Sequence, residues 1–190
     1  MRGWGASGSR YALPSPASSG VRLSRGTIVA GGFRLMQMAL PRPVADYLAA
    51  HHVMTLATQG AEGPWAAAVF YASDGCSLVF LSAPGSRHCR NLAQDARCAA
   101  TIQEDYCDWA QIKGIQLQGR VRELEGEEEI RAQQLYAEKF PVVGPLANVP
   151  QALVKALARV RWFRLVPERV YFIDNSRGFG HRDEIALAQE

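Results

Sequence analysis

From Pro41 onward, apolar and polar residues fall into repeats that predict regular elements. Pro41-Arg-Pro-Val-Ala-Asp-Tyr-Leu-Ala-Ala50 carries proline near its first turn and predicts a short helix. Val53–Thr58 is a short β-branched run, Gly60-Ala-Glu-Gly63 a turn, and Pro64–Ala72 a second apolar strand. Ser73-Asp-Gly75 predicts a hairpin turn with Asp-Gly at its centre, and Ser77–Ser82 the returning strand. A helix is expected from Ser86 to about Asp95, then strands over Cys98–Gln103 and Gln111–Glu123. Glu127–Phe140 reads as a helix whose first turn holds three glutamates, where the helix dipole favours negative charge. Pro141–Pro150 predicts a loop, Gln151–Arg159 a helix, and Arg161–Ile173 a last strand broken in its middle by Pro167.

The order is thus a helix, a three-strand meander, and further strands with interspersed helices. About six strands at short spacing predict a mainly β, α+β architecture: a small antiparallel barrel, closed or nearly so, with short flanking helices. Residues 39–190 form one domain of this kind.

Residues 1–38 show no sustained period. They hold seven of the 17 glycines, six serines, Pro14 and Pro16. Such a segment buries too little apolar surface to offset its ordering entropy, and is expected to be a disordered extension. Its Arg- and Ser-rich, acid-free composition superficially matches an organelle transit peptide. The other reading is a non-structural extension from a start codon set too early, with Met36 and Met38 as alternative starts.

Charge distribution sharpens this division. The net charge of +3 hints at a basic protein, but residues 1–40 contain five arginines and no acid, leaving the remainder at −2. A slightly acidic body lacks the basic face that nucleic-acid binding needs. No run approaches 18 apolar residues, so no membrane-spanning helix is expected. Cys76, Cys89, Cys98 and Cys107 form no C-x-x-C, which argues against structural zinc and suits a reduced, cytoplasmic protein.

Three segments carry candidate chemistry. In Leu81-Ser-Ala-Pro-Gly-Ser-Arg-His-Cys-Arg-Asn-Leu92 a strand ends, a Pro-Gly turn follows, and a helix begins at a Ser N-cap. Free N–H groups there, with Ser82, Ser86, Arg87 and His88, make a phosphate cradle; the alternative is a capped helix with a solvated basic turn. Basic residues at the positive end of a helix dipole are unfavourable unless an anion is present. In Ala66-Ala-Ala-Val-Phe-Tyr71, small residues leave room for a flat ring against the backbone; the alternative is a packed core strand. Asp174-Asn-Ser-Arg-Gly-Phe-Gly-His-Arg-Asp183 is a polar, glycine-hinged loop after the last strand, either a site or an exposed turn. No G-x-S-x-G and no G-x-G-x-x-G is present, so serine-hydrolase and dinucleotide folds lack support.

At these residues the sequence resembles the FMN-binding split-barrel superfamily that includes pyridoxamine 5′-phosphate oxidase, and within it a family of small, uncharacterised bacterial proteins. The resemblance rests on Ala68-Val-Phe-Tyr71, Ser86-Arg-His88, Ile112–Gly119 with Arg122–Glu127, Lys139-Phe-Pro141, Asp174-Asn175 and Gly178-Phe-Gly180. It implies a six-stranded split barrel that dimerises, with FMN at the subunit interface. It implies flavin contacts along Ala67, Ala68, Val69, Phe70 and Tyr71, and phosphate contacts from Ser82, Ser86, Arg87 and His88. Lys113 and Asn175 join as further cofactor contacts.

The chain also departs from the oxidase. His88 stands where the oxidase has lysine, Ala66 and Tyr71 where it has arginine and lysine, and Lys113-Gly114 where it has Arg-Gln. Its C-terminal flavin-contacting tryptophan is missing near Ile173, and Gly180-His181-Arg182 does not reproduce the Arg-x-His that holds the vitamin.

The expected function is therefore that of an FMN-dependent oxidoreductase acting on a small molecule, with Tyr71 and His181 as the candidate bases. The alternative is a non-catalytic flavin- or haem-binding or sensing module with a degenerate site. For haem, His51, His52, His88 or His181 would be the axial ligand.

Overall fold

The computed structural model describes residues 40–141 and 159–187. Helix α1 (Arg42–Ala50) leads into strands β1 (Val53–Gly60), β2 (Gly63–Phe70), β3 (Ala72–Asp74) and β4 (Ser77–Ser82). Helix α2 (Arg87–Gln94), β5 (Arg97–Gln103), β6 (Lys113–Glu123), α3 (Gly126–Lys139), β7 (Arg161–Asp174) and β8 (Arg182–Ile185) follow. The extension over residues 1–38, and the loop and helix expected between 142 and 158, lie outside the described residues. The chain divides into two units between Leu35 and Met36, close to the change in composition, and all described residues belong to the second.

The strands form one antiparallel sheet in the order β2-β1-β5-β6-β7-β4-β3, with β8 added beside β7. Strands β2 and β3 lie at opposite ends of this order, yet Tyr71 alone separates them in sequence. A sheet whose two end strands are joined through one residue must curl until its edges meet. That is the mainly β split-barrel class expected, with two more short strands than the six foreseen.

Alternation fills the curl. Met54 and Leu56 of β1, Ile102 of β5, Ile115 of β6, Leu165 of β7 and Leu78 and Phe80 of β4 are fully buried. Helix α1 closes one end, presenting Val44, Tyr47 and Leu48 at helical spacing. Helix α3 covers the outside of β3 and β4, where Ala132 and Tyr136 pack with Ala72, Val79 and Trp162.

Three expectations are corrected. The meander is not continuous: β4 pairs with β3 and β7, not with β2, so the chain crosses the barrel seam at Tyr71 instead of folding back. The second hairpin turns on Gly75 and Cys76, since Asp74 already pairs with Ser77 and Gly75 takes the positive φ of +62°. Pro167 does not break β7. The strand runs through it: Pro167 stays opposite Gly119, and the register shift at Gln118/Gly119 leaves Glu168, next to the proline, as the extra residue. The bulge brings backbone so close that a Cβ on Gly119 would sit 2.2 Å from the Val166 carbonyl oxygen.

Candidate functional site

Ser82 ends β4 and Ser86 caps α2, its Oγ accepting from the Cys89 N–H at 3.3 Å. The Pro84-Gly85 turn brings the two hydroxyls within 3.3 Å of each other. His88 Nε2 joins them, 2.6 Å from Ser82 Oγ and 3.1 Å from Ser86 Oγ. The imidazole is buried, and burial holds its pKa below the ordinary 6.5, so it is neutral at pH 7. The oxidase's lysine charge is thus not replaced at that pH, and the fixed cations of this first turn are Arg87 and the exposed Arg90, whose Nη1 donates to the Gly85 carbonyl.

Arg87 is held from the other side. Its Nη2 donates to the Glu62 carbonyl at 2.9 Å, its Nε lies 3.7 Å from a Glu62 carboxylate oxygen, and its guanidinium covers the Trp65 ring at 4.6 Å. Its Nε is nonetheless buried with no hydrogen-bond partner. No acid lies in the first turn of α2 to meet the dipole. Two hydroxyls therefore meet at the α2 N-terminus, with the neighbouring Arg87 guanidinium held toward Glu62 and Trp65, and these residue types fit a phosphate monoester.

Trp65 ties this cradle to β2. Among the described residues β2 has one ladder neighbour, β1, and much of the strand is open. Ala66 and Ala68 are exposed, Ala67 is half-buried, Val69 points inward, and Phe70 is 56% exposed. The core-strand alternative for this segment is thus excluded, and a flat group has room beside the two outward alanines. Tyr71 is corrected. Its side chain is fully buried, its hydroxyl donates to the Leu48 carbonyl at 3.0 Å, and burial raises its pKa. It offers a ligand backbone only, and cannot serve as a base.

Lys113 and Asn175 stand apart from the cradle. Lys113 opens β6 and lies 3.8 Å from an Asp174 carboxylate oxygen. Asn175 is a strut: its amide donates to the Trp109 carbonyl at 2.7 Å and its side-chain oxygen accepts from Gly180 N–H at 3.1 Å. The ladder sets Trp65 level with Thr58, Cys98 and Gly119, whereas Gly114 lies five residues further along β6, roughly 17 Å at strand rise. Within one chain these two residues do not join the phosphate cradle. His181 sits in the same loop, its Nε2 3.1 Å from Asp183 Oδ1, while Arg177 pairs with the other carboxylate oxygen of Asp183.

Sequence reasoning missed Glu62 and Trp65, which hold Arg87, because neither carries a motif. It also missed Lys139 as a contact. The Lys139 ammonium donates to the carbonyls of Leu48 and His51 at 2.9 and 2.6 Å, lies 4.1 Å above the Tyr71 ring, and is pushed down to about 8 by burial. The exposed pair Trp109 and Phe179, 4.9 Å apart edge to face, was likewise illegible.

Comparison with known proteins agrees with the curled-sheet fold. The pyridoxamine 5′-phosphate oxidase family model matches residues 40–174, spanning the curled sheet and the cradle alike. The chain therefore belongs to that family of split-barrel proteins. Within it, the chain falls with the UPF0306 proteins: one from Klebsiella pneumoniae is 30% identical over 141 residues, covering 73% of this chain and 88% of the relative.

Among solved structures, a haem-binding protein from Mycobacterium smegmatis superposes with a TM-score of 0.57 at 26% identity, over 76% of this chain. This chain spans 58% of that one. HutZ, the haem storage protein of Vibrio cholerae, shares the fold with a TM-score of 0.54 at 19% identity, over 70% of this chain and 94% of its own. Among the described residues no helix is long and apolar enough to cross a membrane.

Proposed function

We propose that this protein binds FMN as a homodimer and uses it as a flavin-dependent oxidoreductase on a small molecule. The observation that carries the reading is the Ser82–Ser86–Arg87 cradle at the N-terminus of α2, joined through Trp65 to an open, small-residue strand. Ser82, Ser86 and the first-turn N–H groups would hold the phosphate, with Arg87 turning its free donors to it. The ring would lie along Ala66 and Ala68, toward Phe70. FMN, when bound, supplies an acceptor and donor of two electrons. The chain's residues anchor it and keep water from one face.

The dimer is supported by the outer face of the sheet. Ala57 and Thr55 of β1 lie between Ala66 and Ala68 of β2 and Ala99 and Thr101 of β5. These outward residues are small and uncharged over three strands, the composition of a covered face and not of a solvated one. A partner there would enclose the flavin and could supply its own Lys113 end to the site. The test is FMN added to ligand-free protein, followed by gel filtration. Flavin absorbance eluting with a species of twice the chain mass is the expected result. Colourless monomer contradicts it.

A second reading, non-catalytic haem binding, is favoured by the Mycobacterium smegmatis structure, whose 26% identity goes beyond shared fold. A Soret band after hemin addition to the same protein tests it.

A further inference from the structure

Resting on the haem reading, we propose that His52 is the iron ligand, on an aromatic platform made by Phe70 and Phe140. The chain has four histidines, and the structure engages three of them. His51 has Nδ1 2.7 Å from the Tyr47 carbonyl and Nε2 2.8 Å from Glu104, with its ring stacked 3.8 Å from that of Tyr47. Iron binding there would break a bond on either nitrogen. His88 is buried, and its Nε2 is shared by two serines. His181 places Nε2 on Asp183, which Arg177 also holds.

His52 is exposed and makes no side-chain hydrogen bond among the described residues. Its ring instead meets Phe140 edge to face at 5.6 Å, and Phe140 meets Phe70 in the same way at 5.6 Å. Phe70 is 56% exposed and ends the face that begins at Ala66 and Ala68. An imidazole nitrogen beside two aromatic rings and a flat, uncharged strand is what a macrocycle with a metal centre requires: a donor for iron and apolar surface for the ring.

The backbone beneath is fixed, which aims the ring. The His52 carbonyl accepts from Tyr71 N–H at 3.0 Å, and the preceding carbonyl of His51 accepts from Lys139. Sequence alone offered His52 as one of four candidate axial ligands without ranking them, and adjacent residues in an extended segment send their side chains to opposite sides. The structure shows that the divergence sends one to Glu104 and the other to the aromatic patch.

The experiment is hemin titration of the full chain and of His51→Ala, His52→Ala, His88→Ala and His181→Ala, followed in the Soret region. Far-UV circular dichroism confirms that each variant is folded. The expected result is that His52→Ala alone loses the band of ligated haem, and that added imidazole restores it. An unchanged band in His52→Ala, with wild type binding normally, overturns this ligand and leaves the haem reading standing. Loss that imidazole does not restore in folded His52→Ala assigns the residue a structural role and also overturns it. A wild-type chain that leaves hemin's free spectrum unaltered overturns the ligand and the haem reading together.

Discussion

His88 shows how one residue can change the behaviour of a site without changing its shape. It occupies the family's lysine position and reaches both cradle hydroxyls, but burial keeps it neutral at pH 7. A phosphate arriving beside it favours the charged form, so binding draws in a proton as the medium acidifies. The pH dependence of FMN affinity is therefore expected to carry, beyond the phosphate's own titration, a proton uptake that His88→Gln lacks. Calorimetry in buffers of different ionisation enthalpy would show the proton taken up; the same uptake in His88→Gln would contradict the assignment. Stability runs the other way. A histidine whose folded pKa is depressed binds fewer protons when folded than unfolded, so its contribution, present above 6.5, is lost as pH falls toward the lower folded value.

At the scale of elements, helix α1 ends against another helix's side chain. The Lys139 ammonium of α3 caps the carbonyls of Leu48 and His51, so the last turn of one helix anchors the end of the other. Burial depresses this lysine to about 8 from the ordinary 10.5, so between those values the unfolded chain is the more protonated and stability increases with pH. Denaturant melts across that window should show the rise in wild type and a flatter profile in Lys139→Met. Equal slopes would show that the carbonyls hold the charge as well as water does.

Among the described residues the three α-helices and most strand limits were legible, because Val44, Tyr47 and Leu48 repeat at helical spacing and Ser86 caps where an N-cap should stand. Pairing was not. Nothing local in Ala66–Ser82 tells that β4 leaves β2 for β7, since that choice is made by Leu78 and Phe80 meeting Leu165 and Phe163 far along the chain. Strand β8, with three charged residues in four, carries no alternation at all.

For the whole molecule, the curl of the sheet explains why the candidate site was only half readable. Ser82, Ser86, Arg87 and His88 lie within seven residues and could be grouped by eye. Trp65 and Glu62 reach them only because β1 and β2 form a hairpin whose turn lies over α2. Lys113 and Asn175 emerge at the far end, where a second chain would be needed to bring them to the same flavin. This gives the outer face of β1, β2 and β5 a role that is checked by charge. Ala99→Arg places a guanidinium on an exposed β5 position without touching the core. Sedimentation should show the proposed dimer fall to monomer with the fold retained; an unaltered dimer would locate the interface elsewhere.

The central claim is that Arg87 and its neighbours recognise a phosphate, and the most direct test is to delete each side of that contact separately. FMN and riboflavin differ by the phosphate alone, and Arg87→Ala removes the guanidinium alone. Titrating both ligands into both proteins should give FMN binding to wild type that is tighter than riboflavin, and an Arg87→Ala chain that loses about 1.5–3 kcal/mol toward FMN, roughly ten- to hundred-fold, and little toward riboflavin. If Arg87→Ala weakens both ligands equally, or if wild type does not distinguish them, the cradle at α2 is not a phosphate site and the account fails at its base.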